Sequence, residues 1–484
     1  MYKSKITEFL KKLSEDELKK FGEFLASPYF NKNQNVVKLF NELKKHYPDF
    51  SSKGMSKKLL YKKIISNERY SEQVMRNLST RIFKLAKTFL STEYYLNVPH
   101  EQSLGLLHQL ASKRLDPFFI SELNALQKEL LGSDNFSSPY FMHLYKMELE
   151  RINFMILRDK QKDIPEYILA QNNYLIFYFI VELTIAQNNI KINKDTFNIR
   201  FDTNLVYEFI HGTDFDRILG YVRKHNIRFG FVVFIHYYKM MCSLYPEKEE
   251  YYHKLKKLVE ETITQLSKSE MYGIVTALEH YCTIRINQKK FEFYKELFDI
   301  YKLAIKHEIF LRGSPPQITA TKFRNIYTCA FRLNEHEWIR NFIDGNKKYL
   351  SKEGMVVYEL AYSQLDFKMG NFDRAVERLD SIQSDLYYIK IDVRRIMLQI
   401  YYERNELETA LSLLGSFRQF LNSNPQVIPP TRESYVRFIN VMTNLIKLKD
   451  IPDRKKLKKL RERVESERLP SREWLLEKIS GLEK

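Results

Sequence analysis

One stretch in the C-terminal third of this 484-residue chain is written twice. Phe367, Gly370, Phe372, Ala375, Leu379 and Ile382 have counterparts in Tyr402, Asn405, Leu407, Ala410, Leu414 and Phe417, and every pair is 35 positions apart. A constant offset over six positions means that one structural unit is built twice, with large, turn-forming and small residues in the same order. Gly370 and Asn405 suit the left-handed residue that ends a helix. Ala375 and Ala410, five residues further on, let a second helix lie close against the first. The unit is a helix, a tight turn and a helix. Chains built from such units stack them so that each buries its apolar face on its neighbours.

Weaker copies flank the two clear ones. Thr321–Phe342 carries Asn334 as a turn and Trp338 as a packing residue, and Met271–Leu303 carries Asn287 and Phe291. Composition agrees with helices throughout. Fourteen Gly and fourteen Pro are too few for the turn-rich sandwiches, barrels and phosphate-cradling α/β folds. With 44% hydrophobic and 29% charged residues, the chain buries a core and is not a disordered tail.

The repeat, with its turn residue and its small residue in the second helix, resembles the tetratricopeptide repeat. The likeness is partial, because the small position midway through the first helix is Ser363 in one copy and Leu398 in the next. The segments 13–31 (LSEDELKKFGEFLASPYFN), 321–343, 367–379, 401–421 and 472–479 also resemble a bacterial family of tetratricopeptide-like helical-repeat proteins of similar length. That resemblance implies a helical-repeat fold and no substrate. The peptide-binding carboxylate-clamp residues of tetratricopeptide domains have no counterparts here, so only the fold carries over.

The N-terminal region opens on a capping box, Ser14-Glu15-Asp16-Glu17, followed by an apolar face at Leu18, Phe21, Phe24 and Leu25 that Ser27-Pro28 ends. Val36, Val37, Phe40 and Leu43 start another helix, ended by Pro48. A short basic helix follows near Lys57–Ile65. After Ser71 comes a long helix whose stripe is Val74, Leu78, Ile82, Leu85 and Phe89. Between about 100 and 265 the helical pattern persists, Asp195–Glu208 being the least periodic part.

No Walker A loop, Rossmann glycine fingerprint, GxSxG elbow or HExxH helix is present. The nearest approach to a site is the polar loop holding His211, Asp214 and Asp216, where helix capping outweighs metal or acid–base chemistry. His236, inside the aromatic run 229–238, reads as a core imidazole. Cys242, Cys282 and Cys329 are 40 and 47 residues apart without C-x-x-C spacing, which suits reduced, buried thiols. The first twenty residues lack the apolar stretch of a signal peptide. The longest unbroken apolar run, Tyr174 to Val181, is eight residues, so no membrane-spanning segment is expected.

The net charge of +18 sits at the two ends, with +10 in residues 1–100 and +5 in residues 441–484. The N-terminal candidates for binding nucleic acid are Lys57, Lys58, Lys62, Lys63, Arg69, Arg76, Lys84 and Lys87. A short helix, a break and a longer basic helix could form a helix-turn-helix. The break from Ser66 to Ser71 is longer than the usual turn and has no Gly. A solvated outer face is the plainer reading. The C-terminal candidates are Lys455, Lys456, Lys458, Lys459 and Arg461, beside a thin apolar stripe of Leu457, Leu460 and Val464. The polar cap of a terminal repeat accounts for them equally. Ser471 onward then reads as a closing helix, with Trp474, Ile479 and Leu482 tucked under the array.

The sequence therefore predicts an all-α protein: a basic helical region over 1–100, an irregular helical-repeat region over 101–265, tetratricopeptide-like repeats over 266–425, and basic capping helices over 426–484. The expected function is that of a non-catalytic cytoplasmic scaffold or adaptor holding a protein partner in the concave face of a solenoid. The alternative is a nucleic-acid-associated regulatory protein acting through the basic N-terminal helices. No cofactor, metal, small-molecule substrate or membrane insertion is expected.

Overall fold

A computed structural model describes residues 4–50, 55–65, 69–98, 100–197, 199–352, 354–467 and 469–483, with the side chains of 195–197 left aside. The protein is all-helical. Among the described residues there are 24 α-helices and no β-strand, only two isolated bridges, Arg312 with Gln317 and Ile318 with Leu350. The chain forms two compact units, residues 1–182 and 183–484.

The first unit holds α1 (Lys5–Leu10), α2 (Glu15–Ala26), α3 (Gln34–Lys44), α4 (Lys57–Ile64), α5 (Glu72–Asn97), α6 (Glu101–Ser112), α7 (Asp116–Leu131), α8 (Ser138–Ile156) and the first half of α9 (Pro165–Phe197). The capping box forms as the sequence indicates. The Glu17 N–H donates to the Ser14 hydroxyl oxygen at 3.2 Å, and the Ser14 N–H donates to the Glu17 carboxylate at 2.7 Å. Helix α5 is the axis of the N-terminal part, packed by α1, α2, α3 and α4. Its fully packed line is Met75, Leu78, Ile82, Ala86 and Phe89, with the expected Val74 and Leu85 at its edges. Phe21 joins the packing, its ring 5.3 Å from Phe40 and 5.2 Å from Phe89.

The second unit continues with α10 (Leu205–Gly212), α11 (Phe215–Lys224), α12 (Gly230–Leu244), α13 (Glu249–Thr262), α14 (Lys268–Asn287), α15 (Phe293–Lys306), α16 (Ala320–Arg332) and α17 (His336–Asn346). It ends with α18 (Gly354–Lys368), α19 (Phe372–Ser381), α20 (Tyr387–Glu403), α21 (Leu407–Ser423), α22 (Pro429–Asp450), α23 (Arg454–Ser466) and α24 (Arg472–Glu483). Consecutive helices pack in pairs: α14 with α15, α16 with α17, α18 with α19, α20 with α21. The first helices of successive pairs also touch, α16 on α18 and α18 on α20.

The turns inside these pairs share one geometry. Lys289, Asn334, Gly370 and Asn405 all have positive φ, between 59° and 78°. After each, the next N–H reaches back five residues: Lys290 to Arg285 at 3.0 Å, Glu335 to Ala330 at 3.1 Å, Asn371 to Asp366 at 2.8 Å and Glu406 to Tyr401 at 2.9 Å. That is the Schellman closure of a helix C-terminus. In the earliest copy the turn is Lys289 and not Asn287, which is the last residue of α14. Lysine at positive φ is uncommon, so residue type alone misplaces that turn by two.

A Cβ added at Gly370 would meet no atom within 4 Å, so substitution there probes backbone strain alone. Gly370→Val is expected to cost ~1–3 kcal/mol, while Gly370→Asn costs little, since Asn serves the same geometry at 405. Urea unfolding of both variants checks this. Equal midpoints would remove the left-handed turn.

Helix α9 departs from the expectation based on uninterrupted apolar runs. Its part Pro165–Lys194 is long and apolar enough to cross a bilayer by length and composition, and a third of the most apolar window is buried. The run is broken by Asn172, Asn173 and Glu182, yet the average over the helix remains apolar. Glu182 accepts a hydrogen bond from the Ser138 hydroxyl, and Thr184 and Gln187 are buried.

Candidate functional site

The basic residues singled out in the N-terminal unit are all exposed, and their carboxylate neighbours divide them into two groups. Lys57 pairs with Glu72, which also accepts from the Tyr70 hydroxyl. Lys63 pairs with Glu42 at 2.9 Å, and Lys45 adds a second ammonium to the same carboxylate. These contacts hold both carboxyls below their ordinary range: Glu72 through Lys57 and then Tyr70, Glu42 through Lys45 and then Lys63. Lys58 lies 5.9 Å from the Tyr70 ring centre and Lys87 lies 5.0 Å from that of Phe83.

Lys62, Arg69, Arg76 and Lys84 make no ion pair among the described residues. On α5, Arg76, Lys84 and Lys87 point away from the packed line, as the helical period requires. Seven positions separate α4 from α5, of which 66–68 lie outside the described residues. Arg81, on another side of α5, faces the start of α3, where it lines a shallow depression of about 360 Å³ with Lys32, Asn33, Gln34 and Asn35.

The C-terminal candidates separate similarly. Lys455, Lys456, Lys458 and Lys459 are exposed on α23, whose Leu457, Leu460 and Val464 are buried. Asp453 caps this helix, accepting from the Lys455 and Lys456 N–H groups at 3.0 Å each. Arg461 donates to the Glu483 carboxylate and to the Ser480 hydroxyl at 2.9 Å, so it fastens α23 to α24. On α24, Trp474 is buried and its indole N–H donates to Glu403 at 2.7 Å.

The polar loop after α10 is local structure. His211 Nδ1 lies 2.8 Å from the Tyr207 carbonyl and its Nε2 lies 2.6 Å from the Tyr245 hydroxyl, while Asp214 caps α11 by accepting from the Arg217 N–H at 3.0 Å. His236 is half-buried, its carbonyl accepting from the Thr184 hydroxyl of α9, and desolvation of its ring lowers its pKa to about 3. The three thiols are buried and free, and burial pushes Cys242, Cys282 and Cys329 each up to about 12. Among the described residues no three His, Cys, Asp or Glu side chains converge as a metal site would need.

Sequence reading missed a buried charge cluster in the second unit. Asp392 on α20 is buried and takes Arg324 Nε of α16 at 2.5 Å, with Arg395 Nε at 3.6 Å. Arg395 also donates to Gln399 at 3.1 Å and to the Ser471 hydroxyl at 3.2 Å. The buried Tyr327 and the Tyr388 ring, 5.6 Å from Arg324, wall the cluster. Burial opposes the Asp392 carboxylate, but Arg324 and Arg395 outweigh it, and the group ends below its ordinary range. The cluster ties α16 to α20 across the intervening α18. Arg395 stands three residues from Asp392 on the same helix, but Arg324 is 68 residues away in sequence and leaves no local signal.

Searches of family models, of curated proteins and of solved structures return no match to this chain.

Proposed function

We propose that the protein is a non-catalytic cytoplasmic scaffold or adaptor, a tetratricopeptide-like solenoid of helix pairs that binds a protein partner. The supporting observation is the side-by-side packing of α16, α18 and α20, each joined to the helix after it through a Schellman turn, at Asn334, Gly370 and Asn405. Helix pairs stacked in one register present a long continuous surface made of their first helices, and such surfaces hold extended or helical partners.

A second reading, nucleic-acid binding through the N-terminal unit, is favoured by one observation. Glu42 and Glu72 are already engaged by Lys63, Lys45 and Lys57, and Lys62, Arg69, Arg76 and Lys84 stand exposed with no ion pair among the described residues. Phosphates are the natural counterions of such a face.

One experiment separates the readings: affinity purification from the native host with and without nuclease, for the wild type and for Arg69→Glu/Arg76→Glu/Lys84→Glu/Lys87→Glu. The scaffold reading expects the same protein partner in all four samples. Arg76, Lys84 and Lys87 lie outside the packed line of α5 and the exposed Arg69 precedes that helix, so the fold is expected to survive the reversal. Binding of the wild type to duplex DNA that falls steeply with salt, and is lost in the variant, would establish the second reading instead.

A further inference from the structure

In the first unit, α9 buries Tyr174, Phe177, Ile180 and Val181 and turns a different apolar face outward. On that face Ile168 is 42% exposed, Leu169 65%, Leu175 42% and Ile176 47%, with the exposed Asn172 midway among them. The order is a mirror. Ile168 and Leu169 stand four and three residues before Asn172, and Leu175 and Ile176 stand three and four after it. These spacings put all five side chains on one stripe.

We infer that this stripe is a two-fold contact between two copies of the chain, the α9 helices crossing antiparallel at Asn172. A two-fold interface must be self-complementary, and the mirrored stripe meets that requirement in the antiparallel arrangement, where each residue faces its own kind. With the axis at Asn172, Ile168 meets Ile176 of the second copy, Leu169 meets Leu175, and the two carboxamides meet each other. A single Asn in an apolar helix seam is a device that fixes register, because any slip sets an amide against hydrocarbon.

Charge does not oppose the contact. No charged side chain occurs from Tyr167 through Val181, so the seam carries none. A lipid surface is the poorer occupant. Interfacial helices flank their apolar face with Lys and Arg, and α9 has none before Lys191. The stripe is about 12 Å long, a small contact, so association is sought from micromolar to near-millimolar chain.

Sedimentation velocity of the full chain over that concentration range is the test. The wild type is expected to pass from one to two chains, and Leu169→Glu/Ile176→Glu to weaken association at least ~100-fold by burying unpaired carboxylates. Asn172→Cys, lying on the axis, is expected to cross-link to its own copy under mild oxidation, while Asn124→Cys on the exposed side of α7 does not. The cross-link keeps the test decisive if the Glu variant fails to fold. A wild type that stays a single chain, a dimer that survives the Glu substitutions, or equal cross-linking at both cysteines overturns the inference. Flotation of a single-chain wild type with phosphatidylcholine vesicles overturns it in favour of lipid.

Discussion

Replacing Ala410 with Arg is expected to lower the stability of the second unit by ~3–5 kcal/mol, and Ala375→Arg by a similar amount. Both alanines are fully buried, each five residues after the left-handed residue of its turn. Helix α21 packs there between α20 and α22, and α19 between α18 and α20. A guanidinium at either place must open the helix contact or lie in it without a carboxylate. In thermal melting this corresponds to a drop on the order of 10 °C. Ala410→Gly serves as the reference, since it removes volume and helix propensity without adding charge, for about 1 kcal/mol. Melting of both Arg variants with the wild type would dismiss the shared register of the two helix pairs.

These two alanines also show where sequence is readable and where it stops. The equivalent positions in the earlier copies are Ile339 and Tyr294, so the small-residue signature survives in only two of four turns. What the four turns share is the backbone hydrogen bond, and not the alanine. Such a bond leaves a residue preference only where Gly or Asn supplies positive φ, which is why 334, 370 and 405 are legible and Lys289 is not.

Local signals elsewhere behave the same way. Ser14 and Glu17 are three residues apart and announce α2 without help from the rest of the chain. The outward side of α5 follows from its period, since Met75, Leu78, Ile82, Ala86 and Phe89 recur at three- and four-residue steps. What sequence cannot carry is pairing at a distance. Lys57 with Glu72, Lys63 with Glu42 and Arg461 with Glu483 read as free cations in a list of basic residues, and the fold assigns them partners. Helix α9 is a different case: counting unbroken apolar residues stops at Glu182, whereas the helix runs on through it.

Asp392→Ala is expected to cost ~3–5 kcal/mol, because it leaves Arg324 and Arg395 largely buried with their shared carboxylate gone. The cost belongs to the unpaired charges and not to the pair, and that distinction is measurable. Asp392→Leu combined with Arg324→Met should be less damaging than Asp392→Leu alone, since apolar side chains of similar size avoid desolvating an ion. The pH dependence has a definite sign. Asp392 is held below its ordinary range in the folded protein, so its contribution is fully present above its unfolded value of about 4 and is lost as pH falls through the folded value. In Asp392→Asn the acid limb of the stability profile should flatten between those two values, with the same stability lost already at neutral pH. Urea midpoints measured from neutral to acid pH decide it. Parallel profiles for wild type and Asp392→Asn would mean that Arg324 and Arg395 draw no stability from this carboxylate, and the tie between α16 and α20 would then have to rest on apolar packing through α18.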